Sequence, residues 1–268
     1  MLPSVSEPFY WTQESWGAAL RCRALDPLSP HLFTTRQLEL SSVADWERVS
    51  RALGAAQVAA LTQVHGRDVV VIRRGERLPQ TRPHADALIS DDPGVSLAVR
   101  AADCVPLLLA DATTGAAGAV HAGWRGTAAG VAAASIEAMT REFGTTPADL
   151  VAVIGPSIGA CCYEVGTELV DAFAAAGHAR HLVDRWFISL PPRRGSTERP
   201  RLRLDVAGAN RDQLLLAGVL EQNIHLSGLC TVMHLDVLTS YRAEKERAGR
   251  IAGVIRPSGA RDGGGQTP

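Results

Sequence analysis

The stretch DALISDDPGVSLAVRAADCVPLLLADATTGAAGAVH, residues 86–121, carries the reading on which the fold turns. It holds four short apolar runs, at 86–91, 95–100, 105–110 and 116–121, parted by turn residues such as Asp-Pro-Gly and Thr-Thr-Gly. Proline and glycine interrupt regular structure, and apolar runs of this length between such stops read as strands. The middle of the chain is therefore expected to be a β-rich core.

Outward from that core the pattern mixes. Upstream, 31–36 (HLFTTR) reads as a strand and 42–53 as a helix with Ser41 or Ser42 as its N-cap. LTQVHGRDVVVIRR reads as strand, turn at Gly66 and second strand. Downstream, an Ala-rich helix is expected from Thr127 to Phe143, ending at Gly144, with a strand at 150–154 and a helix at 164–176. Residues 191–203, rich in Pro, Arg and Gly, read as a mobile basic loop, and Asp205 as the cap of a helix that stops near Gly218. Residues 258–268 read as a disordered tail. Strands and helices without strict βαβ alternation give α+β rather than a doubly wound sheet.

Composition narrows function. The 268 residues are 46% hydrophobic and 21% charged, ordinary for a soluble globular chain with room for a sizeable core. A formal net charge of −1 provides no field toward nucleic acid or an anionic membrane, and 5% aromatics argue against base-stacking platforms. The first residues, MLPSVSEPFYWTQESW, lack a signal peptide's basic start and apolar core, and no stretch reaches the roughly 20 apolar residues of a membrane helix. Cytoplasmic localisation is expected. Cysteines at 22, 104, 161, 162 and 230 are odd in number with two adjacent, a poor disulfide framework, so reduced thiols are expected.

Three segments end an apolar run on a metal-competent side chain: QVHG with His65, ADCVP with Cys104 and AVHAGWRG with His121. Two imidazoles and a thiolate suit zinc, and three protein ligands leave a fourth tetrahedral position for water or substrate. The spacing itself matches no short metal signature, and a single Cys or His is as readily structural. The loop HAGWRGTAAG, with Gly123 and Gly126, leads into a helix whose first amides would attract an anion, with Arg125 adding a charged donor; a tight turn with a structural Arg125 salt bridge is the alternative.

In order along the chain, QVHG, ADALIS, ADCVPLLLAD, AVHAGWRGTAAGV and IGPSIGACCYEVG resemble the laccase-domain family, the YfiH or polyphenol oxidase type, over roughly residues 31–257. Its bacterial members are called peptidoglycan editing factors or purine nucleoside phosphorylase-like proteins. The resemblance implies one catalytic domain over 1–257, with a β-sandwich-like core flanked by helices that is similar to the catalytic domain of cytotoxic necrotising factor toxins. It implies that His65, Cys104 and His121 ligate one zinc ion and form the catalytic centre. It also implies a purine nucleoside phosphorylase acting on adenosine, inosine or methylthioadenosine, with adenosine deamination as a second activity. Nucleoside and phosphate are then the partners, without nucleic acid or membrane. The toxins' Cys/His hydrolytic pair suggests a competing mechanism, Cys104 as nucleophile with His121 as base. Other readings are a peptidoglycan-precursor editing hydrolase, a copper polyphenol oxidase and a non-enzymatic subunit with a structural zinc. Laccase chemistry needs several coppers with many His and Met ligands, and the chain has 8 His and 3 Met, so copper fits less well than zinc.

In one place the chain departs from the family pattern. Where the family carries an Asn-Arg pair opening a helix, the aligned positions are Asp45 and Trp46, and Arg48 offers at most a partial substitute. Of the remaining residues, Asp86 is read as an imidazole-orienting carboxylate or a turn former, and His84 as a weaker candidate. Cys161 and Cys162 are read as packing thiols, and Tyr163 and Glu164 as pocket-closing residues, with Glu164 alternatively a helix cap. His178 and His181 are read as solvated, Arg242 and Arg250 as part of a solvated charged helix or, alternatively, as facing the pocket, and Asn210 and Arg211 as support for packing or the surface.

Overall fold

A computed structural model describes residues 2–190 and 201–259. The N-terminal part contains β1 (Phe9–Glu14), β2 (Gly17–Cys22), β3 (His31–Thr34), α1 (Val43–Ala52), β4 (Gln57–Ala60) and β5 (Val69–Ile72). The central part contains β6 (Ala87–Ser90), β7 (Val95–Ala101), β8 (Val105–Asp111), β9 (Ala117–Ala122), α2 (Trp124–Ala128), α3 (Val131–Phe143) and β10 (Leu150–Ile154). The remainder contains β11 (Glu164–Val165), α4 (Thr167–Ala175), α5 (Arg180–Trp186), β12 (Phe187–Ser189), β13 (Leu202–Leu204), α6 (Val206–Leu216), β14 (Ile224–Leu226), α7 (Tyr241–Glu244) and β15 (Ile251–Ile255).

Two six-stranded sheets stack, one ordered β1-β2-β3-β15-β7-β4 and the other β14-β10-β8-β9-β6-β5; β11, β13 and β12 form a small third sheet. The four runs of the opening stretch are β6 to β9, split between the two large sheets. Successive strand side chains face opposite sides, and here each side is a separate core. On β8, Val105, Leu107 and Leu109 join the core under α3, α5 and α6, whereas Leu108 and Ala110 join the core between the sheets. On β7 and β15, Val99 and Ile251 face that inter-sheet core while Ala98 and Val254 face the layer under α1. The result is helix, sheet, sheet, helix, an α+β sandwich.

Several expectations are corrected. LTQVHG is not a strand: β4 lies before it, and the amides of residues 64–66 bond a carboxylate instead of a neighbouring strand. The Ala-rich helix starts earlier, at Trp124, and breaks at Gly130, whose φ of 79° is left-handed. Glu164 and Val165 are strand, not helix, pairing with Arg203 and Leu202. Leu202–Leu204 is likewise strand, while 191–200 of the expected basic loop lie outside the described residues. The charged C-terminal segment forms only the four-residue α7 before β15. Of the expected tail, Ser258 donates its amide to Gly115 O at 3.1 Å, and 260–268 lie outside the described residues. Ser42, as expected, caps α1, in a capping box with Asp45.

Phe33 of β3, fully buried, seats its ring against Gly155 at the end of β10 and Gly253 of β15, tying the two sheets together. A Cβ at Gly155 would overlap the Phe33 ring, which has no free side to move into. Gly155→Ala is expected to destabilise the protein by about 1–3 kcal/mol through overpacking, read as a lowered urea midpoint with an unchanged slope.

Candidate metal centre

The ends of β8 and β9 lie side by side, Val105 opposite Ala122 and Pro106 opposite His121. This register brings Cys104, just before β8, beside His121 in β9. His65 arrives from a different direction, on the loop after β4. Gln63 fastens that loop to β7: its side chain donates to Arg100 O at 2.7 Å and accepts from Arg100 N at 2.9 Å, a side-chain imitation of strand pairing. His65 itself sits at φ 62°, a left-handed conformation rare for residues other than glycine.

Asp86, fully buried just before β6, holds the arrangement. Its carboxylate accepts from the amides of Val64 at 3.3 Å, His65 at 2.9 Å and Gly66 at 2.6 Å. The same group accepts from Nδ1 of His121 at 2.8 Å. One side chain thus fixes the backbone under His65 and the ring of His121, leaving Nε2 of His121 free for the centre. Burial pushes the Asp86 carboxyl up, but the bonds from His121 and from the Gly66 and His65 amides hold it below its ordinary value.

Ligand atoms of His65, Cys104 and His121 lie within 4.8 Å of one another, and the two rings meet edge to face with centroids 4.9 Å apart. His121 is buried, Cys104 half-buried and His65 exposed. Burial raises the Cys104 thiol, but hydrogen bonds from His121 and His65 outweigh it and bring the thiol down to about 6. Burial likewise lowers His121, while Asp86 and the Cys104 thiolate raise it, to about 9. Without a metal ion the site is a thiolate–imidazolium pair braced by a carboxylate.

The two glycines of HAGWRG sit where elements meet closely. A Cβ at Gly123 would lie 2.8 Å from Cys104 Sγ and 2.9 Å from His65 Cδ2, so this position admits only glycine if the trio is to close. A Cβ at Gly126 would lie 2.9 Å from Gly66 O, which lets α2 pack on the His65 loop. Both glycines are buried, and the missing Cβ of each lets neighbouring elements approach. Arg125 is exposed, stacks over Trp124 at 4.3 Å and, among the described residues, makes no ion pair.

The trio lies in a cavity of about 970 Å³ whose lining includes Arg100, Arg125, Tyr163, Arg242, Lys245 and Arg250, with Glu39 and Asp103. Arg242, whose alternative reading faces the pocket, is placed here by Asp103, which accepts from Arg242 N at 2.6 Å and from Thr231 Oγ1 at 2.6 Å. Its guanidinium donates to Glu164 O at 2.8 Å and lies 5.1 Å from the Tyr163 ring centroid. Arg250, with the same alternative reading, lines the cavity while bonding only main-chain carbonyls. Asp103, missed from the sequence, stands next to Cys104 with φ 89°; its place in ADC was the available signal.

The weaker candidates lie elsewhere. His84 forms a bridge with Thr62 outside the trio. His178 is not solvated: it is half-buried, packs on Phe173 and Trp186 and bonds Ala128 O at 2.8 Å. His181 is exposed. Asn210 is buried and donates to Thr127 Oγ1 and Val206 O, and Arg211 pairs with Asp212 and Glu221. Glu164 lies in β11 and pairs with Arg201, so it caps no helix. Asp45 is spent on the α1 cap, Arg48 pairs with Asp45 at 3.8 Å, and Trp46 lines a separate apolar cavity with Val58 and Ile72. Arg48 therefore supplies no substitute for the family's arginine.

A family model described as multi-copper polyphenol oxidoreductase laccase matches residues 39–258. A Bacteroides thetaiotaomicron protein named purine nucleoside phosphorylase is 40% identical over 170 residues, 63% of this chain; the chain spans only 60% of that relative's length. A Deinococcus radiodurans protein of the same name is 36% identical over 253 residues, 87% of this chain and 91% of its own. The crystal structure of the Bacillus licheniformis hypothetical protein YfiH superposes with a TM-score of 0.81 at 26% identity, covering 94% of this chain and 100% of the other. The crystal structure of YlmD from Geobacillus stearothermophilus gives 0.75 at 28% identity, covering 93% and 99%.

Asp86→Asn is expected to weaken zinc binding about 10- to 100-fold, the usual loss when the partner of a ligating imidazole is removed, measured by competition with a chromogenic chelator. A thiol brought down to about 6 is thiolate above that pH and protonated below it. In chelator-stripped protein, alkylation of Cys104, followed by peptide mass, should accordingly rise with a midpoint near pH 6. In His121→Ala the midpoint should move back up toward or beyond the ordinary value, because burial then faces weaker opposition.

Proposed function

This chain belongs to the multi-copper polyphenol oxidoreductase laccase family, and from that membership we propose that it is a zinc-dependent purine nucleoside phosphorylase of the cytoplasm. One observation carries the reading: a metal-competent trio shares its cavity with five cations, Arg100, Arg125, Arg242, Lys245 and Arg250, none of which makes an ion pair among the described residues. Burial, and then the charges of Arg82 and Arg250, lower the Arg100 guanidinium, and the five cations outnumber the two carboxylates of the lining, Glu39 and Asp103. Inorganic phosphate is the anion the reading assigns to it. The volume also suits a nucleoside, which needs several hundred Å³.

His65, Cys104 and His121 fit zinc in donor type and number, with His121 oriented by Asp86 and room made by Gly123. When bound, zinc supplies a Lewis acid at the floor of the cavity. The chain's own residues do the rest. Arg242 and Arg250 hold phosphate so that one of its oxygens faces C1′ of the nucleoside. The new C1′–O bond forms as the C1′–N bond breaks, and the electron pair leaves with the base, which takes up a proton. Burial, and then the Cys104 charge, push the Tyr163 phenol up to about 12, so it stays protonated and can donate its O–H in the cavity. Adenosine, inosine and methylthioadenosine are the proposed substrates, with adenosine deamination as a second activity.

The polyphenol oxidase reading is disfavoured by the ligand set. The described residues bring metal-competent side chains together in two groups, only one of which contains imidazole, and that one has two. A multi-copper cluster needs many more. The carboxylate–imidazolium–thiolate line Asp86–His121–Cys104 favours one second reading, a cysteine hydrolase, for which zinc would be an inhibitor rather than a requirement.

Purified protein with zinc and phosphate should release free base from at least one of the three nucleosides, with formation of ribose 1-phosphate or its methylthio analogue. His65→Ala should lower kcat/KM at least ~100-fold, and Arg242→Ala should chiefly raise the KM for phosphate. Absence of turnover on all three, or full activity in His65→Ala, overturns the reading; activity that rises on chelation supports the hydrolase.

A further inference from the structure

Cys161, Cys162 and Cys230 form a second cluster that the proposed chemistry does not use. Their sulfur atoms lie within 4.8 Å of one another, and the Cys161 thiol donates to Cys162 Sγ at 3.4 Å. Cys230 is in the interior and Cys162, half-buried, packs against the core as expected, whereas Cys161 is exposed, so packing does not account for all three.

The cluster is built by two loops held in register. Ser157 and Cys230 form a parallel bridge, with Ser157 N donating to Leu229 O at 3.2 Å and Thr231 N to Ser157 O at 3.0 Å. Gly159 closes the floor. Its amide donates to Cys230 Sγ at 3.2 Å, and a Cβ there would lie 3.2 Å from Cys161 Sγ and 3.3 Å from Cys230 Cβ. The absence of that side chain lets three sulfurs converge. Metal–sulfur bonds of about 2.3 Å around one ion require sulfurs about 4 Å apart, within the spacing already present.

We propose that Cys161, Cys162 and Cys230 form a thiolate-only site for copper(I), separate from the His65–Cys104–His121 centre. The donors are uniformly soft, with no imidazole or carboxylate in the group, which selects a soft d10 ion over hard cations. Three thiolates suffice for a trigonal ion, and exposed Cys161 leaves the site open to solvent for loading. On binding, three S–Cu bonds form and the thiols release their protons to water, with no change of oxidation state.

The test is an anaerobic titration of the reduced full-length chain with copper(I), supplied from a chromogenic competing chelator. Wild type is expected to bind two equivalents, one at each centre. Cys161→Ser, at an exposed position that folding does not depend on, should lose one of them or weaken it on the order of 100-fold. His65→Ala should keep the equivalent at the thiols, and X-ray absorption of that variant loaded with one equivalent should show sulfur neighbours only, at about 2.3 Å. Equal stoichiometry in wild type and Cys161→Ser, or nitrogen or oxygen neighbours in loaded His65→Ala, overturns the proposal.

Discussion

The Asp86 carboxylate is the interaction on which the rest of the site depends. Its cost is desolvation of a charge in the protein interior, and its compensation is four hydrogen bonds to that one group. Three of those bonds hold a loop that is neither strand nor helix, and so provide for backbone donors that a sheet would otherwise pair. The fourth commits one nitrogen of His121, which determines the nitrogen presented to the centre. Fold and chemistry are thus fastened at one atom pair. Any change that weakens the loop also disorients the imidazole, and the two effects cannot be separated by mutation at Asp86 alone.

Around that anchor, glycine decides how close elements come. Gly123 yields to Cys104 and His65, Gly126 to the carbonyl of Gly66, and Gly159 to the thiol cluster. None of these needs a left-handed backbone, so what each supplies is the missing Cβ. The glycine-rich look of HAGWRG therefore has a steric origin. The positive charge of the cavity comes from side chains, Arg125 of this same segment among them.

Much of the scaffold was legible from local pattern. The runs that became β6 to β9 announced themselves because each is buried on both faces and ends at a turn residue. The capping box at Ser42 and the cap at Asp205 were likewise local. What stayed hidden depended on distant partners. Val64 and His65 look like strand residues until Asp86, more than a strand away, takes their amides along with that of Gly66. Gly130 sits in an Ala-rich run whose propensity masks the break, and only its φ reveals it. The trio itself was visible as three strand ends, and Asp86 as a carboxylate able to orient an imidazole, yet Gln63 and Asp103, which help position it, carry no signal of role beyond their neighbours in the motifs.

The cationic rim draws on several segments of the chain. Asp45 and Trp46 contribute nothing to it, one being spent on a helix cap and the other on an apolar cavity. Positive charge reaches the pocket from β7, from α2, and from α7 and the segment that leads to β15. Of these, Arg242 is the best fixed. Asp103 captures its amide, Glu164 O receives its guanidinium, and Tyr163 lies against it. Arg36 and Glu244, paired at 2.9 Å, tie the same segment to the end of β3. Asp103 adjoins Cys104, so a shift of α7 is felt at the ligand thiol through one peptide unit. On the proposed reading, an anion held at Arg242 and a metal held at Cys104 would be mechanically linked through this unit.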